Sequence, residues 1–502
     1  MRKSLSMFLL MAGMAAAQTL TIYSANSQSV AQPTKTSFGV STFNGVYYAN
    51  QWCATPGTLD DTCFSKAITD IAANGPTGSA GHRYGVIRVP PGKYLFANTV
   101  TIPAGINIGI EGEYGTSLWG TIIQSTVNNQ VLFRVTSDST DMRNLTFFNG
   151  ANSGVVGIQI GTTSIPVFDS HIVWNWFSGV NVAIHLVNGT GYDLSHNTFD
   201  AGTVYGIYSS QPSGDIEAAY IVASDLRTYG QLYGIYLAGN PANLGLYENN
   251  SFSGLFSAST GAGASVLLQS VQNSMISGVF TDSNNDDIDV INSTGIVIGK
   301  IAAHNTGRET LNIQNSTNVN TSGGTITNTA IMQTAGAVPA ISVTGSARTR
   351  ITGFTSTTGT GGVGNASYGL LVDSGSTNTA VYGNSFNSQV TGAYSIADAT
   401  TNIDIQGIRV AASVFPGTGM QHARGPACTT AVAPFSTCAS TAIVWTVPFA
   451  NTSYTASCTL QNTTGVPVIT GFTQTASNIT VSIANLTAVA ATGTLNCVAM
   501  HD

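Results

Sequence analysis

VAIHLVNGTGYDLSHNTF, residues Val182 to Phe199, is the stretch on which the reading of the whole chain turns. A short alternating run (Ala183, Ile184, His185, Leu186) meets a polar turn from Val187 to Gly191. A second run (Tyr192, Asp193, Leu194) then ends in Asn197 and Phe199. Period-two alternation marks strands, so Ile184 and Leu186 are expected on one side, Ala183 and His185 on the other. The same grammar returns at Tyr205-Gly206-Ile207-Tyr208. It returns at Tyr233-Gly234-Ile235-Tyr236 with Asn250-Ser251-Phe252, and at Tyr368-Gly369-Leu370-Leu371 with Asn384-Ser385-Phe386. Recurrence every roughly 20 to 30 residues is the pattern of a solenoid, in which one coil alone cannot bury its apolar side.

Composition agrees with such a stack. Only 8% of the 502 residues are charged, 55 are Gly, and 43% are hydrophobic. Small polar residues and Gly suit a long β-protein with many tight turns, and the apolar share is enough to bury a core. The formal charge of −7, from 16 basic and 23 acidic residues, lacks the basic footprint of a nucleic-acid binder. No apolar run reaches the roughly 18 residues of a membrane span outside the N-terminus. That terminus has Arg2 and Lys3, an apolar run from Leu5 to Met14, then Ala15-Ala16-Ala17. Residues 1–17 therefore read as a secretory signal peptide, and the protein is expected to be secreted or held at the cell surface. Residues 18–51 are polar and irregular, an arm that links or covers an edge. Six cysteines in an export context point to disulfides. Proximity pairs Cys53 with Cys63, Cys428 with Cys438 and Cys458 with Cys497, although spacing alone leaves other pairings open.

One helix is expected from Asp60 to Ile71, with Asp60 or Asp61 as its cap and Phe64, Ala67, Ile68 and Ile71 on one face. Gly85 to Tyr94 and Val100 to Ile106 follow as strands broken by turns. The segments DDT…KAI, VIRVPPGKYLF and VTIPAGINIGIEGEYGTSL, between Asp60 and Ile123, resemble the N-terminal cap and first coils of the pectate-lyase superfamily. The resemblance implies an all-β right-handed parallel β-helix, over residues 52–416, with a helical N-terminal cap. It also implies action on polysaccharide, by hydrolysis or by β-elimination, although the same opening precedes many chemistries and some proteins with none. After a Gly- and Pro-rich hinge, residues 427–502 carry clean alternating strands and four of the cysteines. They read as a small antiparallel β-sandwich-like domain.

Setting the coils in register predicts two columns. Ile158, Ile184, Ile207, Ile235, Val266, Ile288, Leu311, Ile341 and Leu370 point inward. Gln159, His185, Tyr208, Tyr236, Leu267, Asp289, Asn312, Ser342 and Leu371 point outward. Neighbouring rungs would lie about 4.8 Å apart. His185, Tyr208, Tyr236 and Asn312 are then candidates for binding a sugar chain, since aromatic rings offer apolar faces with polar edges.

The densest polar cluster runs from Asp282 through Asn285, Asp286, Asp287 and Asp289 to His304, Arg308 and Glu309. Asp287 and Asp289, two apart on a strand, are expected to share an outward face, with Glu309 on the next coil. Such carboxylates could serve hydrolysis as acid and base. Alternatively, Asp286 and Asp287 could hold Ca²⁺, with Lys300, Arg308 or His304 taking a proton from a uronate. A solvated acidic surface is the plain third reading. The Asn-Thr-Asp, Gly-His-Gly and Arg-Ile-Lys elements of polygalacturonases do not occur, and the basic pair of pectate lyases is not recognisable. The rival to an enzyme is a surface or adhesion protein that displays a glycan-binding stripe. No motif sets an oligomeric state. In an exporting host the mature chain should begin at Gln18. Intact-mass measurement of the secreted product checks this, and retention of Leu5 to Met14 would contradict it.

Overall fold

The computed structural model describes residues 45–49, 60–78, 81–113, 120–200, 202–211, 213–230, 233–258, 263–282, 284–327, 338–357, 366–386, 389–397, 402–404, 421–428, 430–440, 442–444, 454–464, 466–475 and 477–501. The expected signal peptide and Cys53 lie outside these residues.

Each coil contributes a strand to three sheets in turn. The first face stacks 12 strands, including Val182–Leu186, Tyr205–Ser210, Tyr233–Ala238, Ala264–Gln269, Asp286–Ile291 and Leu311–Gln314. The second stacks 15, including Gly189–Asp193 and Ala218–Ser224, and the third 12, including Thr198–Asp200 and Arg227–Tyr229. Pairing within the coils is parallel throughout, as between Val182–Leu186 and Tyr205–Ser210. This is a parallel β-helix. Val46–Tyr48, within the stretch read as an arm, pairs in parallel with Arg83–Val89 and joins the second face as its first strand.

Both columns stand in the predicted register. Ile158 pairs with Ile184, Ile184 with Ile207, Ile207 with Ile235, and the ladder continues to Leu370 with every member buried. Period two fails at one point in each coil. On the first face the residue just before each ladder member is buried too, so Ala183 does not share the outer side with His185. This extra inward position is filled by small residues such as Gly157, Ala183, Gly206, Gly234 and Gly369. The reason is close packing against the third face, on phenylalanines at Gly157, Gly206 and Gly369 and on Thr228 at Gly234. A Cβ on Gly206 would lie 2.5 Å from Phe199, and one on Gly369 2.1 Å from Phe386. Those phenylalanines form their own stack, with Phe147 and Phe177 parallel at 4.7 Å.

Polar side chains close the bends. Asn197 Nδ2 donates to the carbonyls of Ile172 and Leu194, while its Oδ1 accepts from the Asn175 amide. Asn384 acts alike toward Ile351 and Phe354, between the second and third faces. Asn250 does not belong to that column. It precedes Ser251–Ser253 of the second face and takes the amide of Ile221 at the opposite bend. From there hydroxyls take over: the amides of Ser293, Ser316 and Ser346 donate to the Oγ of Ser316, Ser346 and Ser376.

The helix, α1, spans Asp61–Asn74 and buries Phe64, Ala67, Ile68 and Ile71. Phe64 meets Tyr94, Phe96 and Phe133 edge-on at 5.2–5.7 Å. Asp60 does not cap α1 through its side chain. Asp60 Oδ2 accepts from the Leu95 amide, and Asp61 Oδ2 accepts from the amides of Ala97 and Asn98. The two acids therefore clamp the helix to the first coil.

The C-terminal strands are antiparallel. One sheet joins Gln421–Pro426, Tyr454–Thr464 and Thr492–His501. The other joins Thr437–Ala439, Ile443–Val444, Pro467–Gln474 and Asn478–Asn485. Leu495, Cys497 and Ala499 of the first share a core with Ile479, Val481 and Ile483 of the second. Disulfides Cys428–Cys438 and Cys458–Cys497 are formed, the latter between directly opposed residues. Cys63 is also disulfide-bonded.

Ile235→Ala should cost about 2–5 kcal/mol, because the rung is held between buried Ile207 and Val266 and cannot collapse. Denaturant unfolding checks this, with the exposed Val297→Ala as a control that should shift stability by under about 0.5 kcal/mol.

Candidate functional site

The first face carries an aromatic row that runs into an acidic cluster. Gln159, His185, Tyr208, Tyr236, Leu267, Asp289 and Asn312 occupy successive rungs. Beside them stand Tyr205 and Tyr233 on paired rungs, and then Ala264 paired with Asp286. Strand registry forces these rings together. Tyr205 and Tyr233 stack at 5.5 Å and 3°, Tyr208 and Tyr236 at 5.3 Å, and Tyr233 meets Tyr236 edge-on at 5.0 Å. His185 adjoins Tyr208 at 5.1 Å. Burial lowers the His185 pKa to about 4, so its imidazole is neutral at neutral pH.

Past the tyrosines, Asp286, Asp289 and Glu309 gather around Arg308. Arg308 donates to Asp286 Oδ2 at 3.3 Å and lies 3.5 Å from Glu309 Oε2. The Glu309 amide donates to Asp286 Oδ1. Asn312 Nδ2 donates to Asp289 Oδ1 at 3.3 Å, and Ser342 donates to Asn312 Oδ1, which fixes the amide with its NH₂ toward the carboxylate. Burial chiefly raises the Asp286 pKa; the charges of Asp289 and Glu309 add to this, while Arg308 opposes it. Asp289 is raised to about 6, again mainly by burial, with Asn312 opposing and Glu309 adding. Like charges a few ångströms apart resist ionising together, so the cluster holds a proton where isolated carboxyls would not.

Two candidates do not join it. Asp287 is wholly buried, 0% exposed, and occupies the extra inward position otherwise filled by small residues. Its carboxylate accepts from Thr306 Oγ1 at 2.6 Å and from Asn284 Nδ2 at 3.3 Å. Asp287 and Asp289 therefore do not share the outer wall, because period two breaks between them. Asp286 and Asp287 for the same reason do not form a shared seat for Ca²⁺: one is tied to Arg308, the other to Thr306 in the interior. No group of three or more His, Cys, Asp or Glu side chains placed to hold a metal occurs among the described residues. His304 ends a strand of the third face, where its Nδ1 lies 3.2 Å from Asp282. The bend between first and third faces carries it away from Asp289.

Elsewhere, Asp141, His171 and Asp193 stand on consecutive rungs of the second face. Trp174 sits at the bend with φ 59°, 53% exposed and stacked on His196 at 4.1 Å, whereas Trp176 lies in the third face. The orienting Ser342 was visible only as a member of the outward row, since its contact depends on a rotamer.

Burial raises the Asp287 pKa from 3.8 to about 6, against hydrogen bonds led by Thr306. The folded state thus binds this proton more tightly than the unfolded one. Its contribution to stability is favourable at low pH and is lost as pH rises from about 4 through about 6. Asp287→Asn should therefore gain on the native chain by roughly 1–3 kcal/mol between pH 4 and pH 7. Unfolding midpoints measured across that range check this; parallel curves would refute it.

No family model and no curated protein matches the chain. Solved structures do. The DFA-IIIase from Arthrobacter chlorophenolicus A6 in complex with GF2 is 14% identical, with 72% of this chain and 98% of that chain covered and a TM-score of 0.53. The A-module of the mannuronan C-5 epimerase AlgE4 from Azotobacter vinelandii is 14% identical, with 71% and 100% covered and a TM-score of 0.43. The Pseudomonas phage phi297 tailspike gp61 is 10% identical, with 92% and 100% covered and a TM-score of 0.46. At such identities a likeness speaks for the fold alone. With the coil geometry above, the likeness to the DFA-IIIase makes the chain a right-handed parallel β-helix protein.

Proposed function

We propose that the protein binds a polysaccharide along the first face and cleaves it by glycoside hydrolysis outside the cell. The observation that carries this reading is the meeting of the tyrosine row with the carboxyl groups of Asp286, Asp289 and Glu309 around Arg308. Stacked tyrosines give a sugar chain apolar platforms with polar edges, and they point it at Asp286 and Asp289. Asp286, buried and beside two carboxylates, keeps its proton and acts as general acid toward the leaving oxygen. Asp289, ionised above about pH 6 and held by Asn312, takes a proton from the attacking water. The C–O bond breaks as the water oxygen attacks the sugar carbon. Arg308 positions Asp286 and Glu309.

Elimination fits less well, since Arg308, the one cation at the cluster among the described residues, is already paired with Asp286 and Glu309. The similar fold of a DFA-IIIase solved in complex with GF2 agrees with a saccharide ligand. The leader expected at residues 1–17 and the disulfides agree with export. A second reading, a non-catalytic glycan binder, draws on the absence of the polygalacturonase elements from the sequence.

Asp289→Asn should lower kcat by 10²–10⁴-fold, the usual worth of a general base, with an unchanged circular dichroism spectrum. Native turnover should rise through about pH 6 and fall again where Asp286 loses its proton. Tyr236→Ala should chiefly raise KM. Reducing-end release over a polysaccharide panel measures all three, and unsaturated products would point to elimination instead. Retention on glycan without any product would leave the binder.

A further inference from the structure

We propose that the corner between the second and third faces carries a saccharide-binding platform of its own, built on Trp174 and separate from the first face. It goes beyond the reading of the first face and does not depend on it. Asn144, Trp174, His196, Asp225, Gly254 and Gly278 follow one another coil by coil at this corner, each at a φ between 51° and 62°. The amides of Asn144, Trp174, His196 and Asp225 donate to the carbonyls of Trp174, Ser195, Ser224 and Ser253, which ties each bend to the next. Left-handed backbone suits Gly, and Asn and Asp tolerate it. A bulky ring in that conformation is an outlier, and such outliers gather at functional sites.

Burial does not explain Trp174. It is 53% exposed, so packing does little to offset the strained backbone. What the position supplies is a flat ring held in place. His196, one coil on, stacks against the indole at 4.1 Å and 12°. His196 Nδ1 lies in turn 3.3 Å from Asp225 Oδ2, one coil further. The three side chains form a brace across three coils. Because His196 stands on the following coil, the opposite face of the indole is turned toward the coil of Asn144. Beside Asn144 is Arg143, 45% exposed at its side chain and 3.4 Å from Glu111. A fixed indole face, with an amide and a guanidinium along its edge, suits the C–H face and hydroxyls of a sugar ring. A protein partner fits less well. A stable interface takes roughly 800 Å² from each side, whereas this column runs from Trp174 into Asn144 in one direction and into Asp225 and Gly254 in the other.

Affinity electrophoresis through gels that contain a glucan, a fructan or a polyuronate tests the platform. The native protein is expected to be retarded by at least one of them. Trp174→Asn exchanges the ring for a residue that tolerates left-handed backbone. Its unfolding midpoint should stay level or rise, while retention on the polymer that the native chain binds should weaken by on the order of tenfold. Trp174→Tyr keeps a ring and should keep most of the retention. Native retention on none of the three polymers, undiminished retention of Trp174→Asn, or a lowered midpoint in that variant overturns the proposal. Tyr236→Ala, run beside them, reports on the first face. If it is retained like the native chain while Trp174→Asn is not, the first-face reading falls and the platform stands. The reverse pattern removes the platform and leaves the first face.

Discussion

Every coil hands its backbone hydrogen bonds to the next in parallel register, and the rest of the structure follows from that. A side chain has a neighbour of the same rank about 4.8 Å above and below it, so each position becomes a column. Columns accept apolar residues, amides and hydroxyls readily. They accept like charges poorly, because directly opposed like charges repel. This accounts for a chain of 502 residues with 8% charge. Where charge does enter a column it alternates: Arg88, Glu111 and Arg143 stand in register on the second face, with contacts of 2.8 Å and 3.4 Å.

The acidic cluster on the first face breaks this rule. Asp286 and Glu309 occupy adjoining coils with Asp289 beside them, and one arginine offsets them only in part. A local conflict of this kind, within a fold that elsewhere avoids it, is what a functional site looks like in physical terms. Asp287 is a different matter. It is a charge-bearing residue in a position reserved for small side chains, satisfied by threonine and asparagine, with no route to the outer wall. Two adjacent aspartates thus serve unrelated ends because the backbone bends between them.

Most of the architecture was legible because it repeats. Ile184, Ile207 and Ile235 recur with the same flanks, so their rungs could be aligned before any coordinates. The column of His185, Tyr208, Tyr236, Asp289 and Asn312 followed from the same alignment. What escaped was phase and bend. The glycines before Ile207 and Ile235 mark an inward position packed on the third face, on Phe199 and on Thr228, yet strict alternation put Ala183 and Asp287 outside. Bends decide which face a residue joins, and spacing alone did not show that His304 ends a third-face strand or that Asn250 precedes a second-face one. Asp60 and Asp61 looked like helix caps because local spacing says nothing of amides 35 residues away in the chain. The orientation of Asn312 by Ser342 is a rotamer, which no pattern encodes.

A stack of parallel strands has an open end by construction, and an open end is a template. Its unpaired amides and carbonyls would accept another strand as readily as the coil that precedes them. α1 lays Phe64 and its neighbours against the first coils and is fastened there by Asp60 and Asp61. The clamp therefore does more than finish a core. It acts as a plug against fibre growth, and a chain that lost it would risk joining its own kind end to end into filaments.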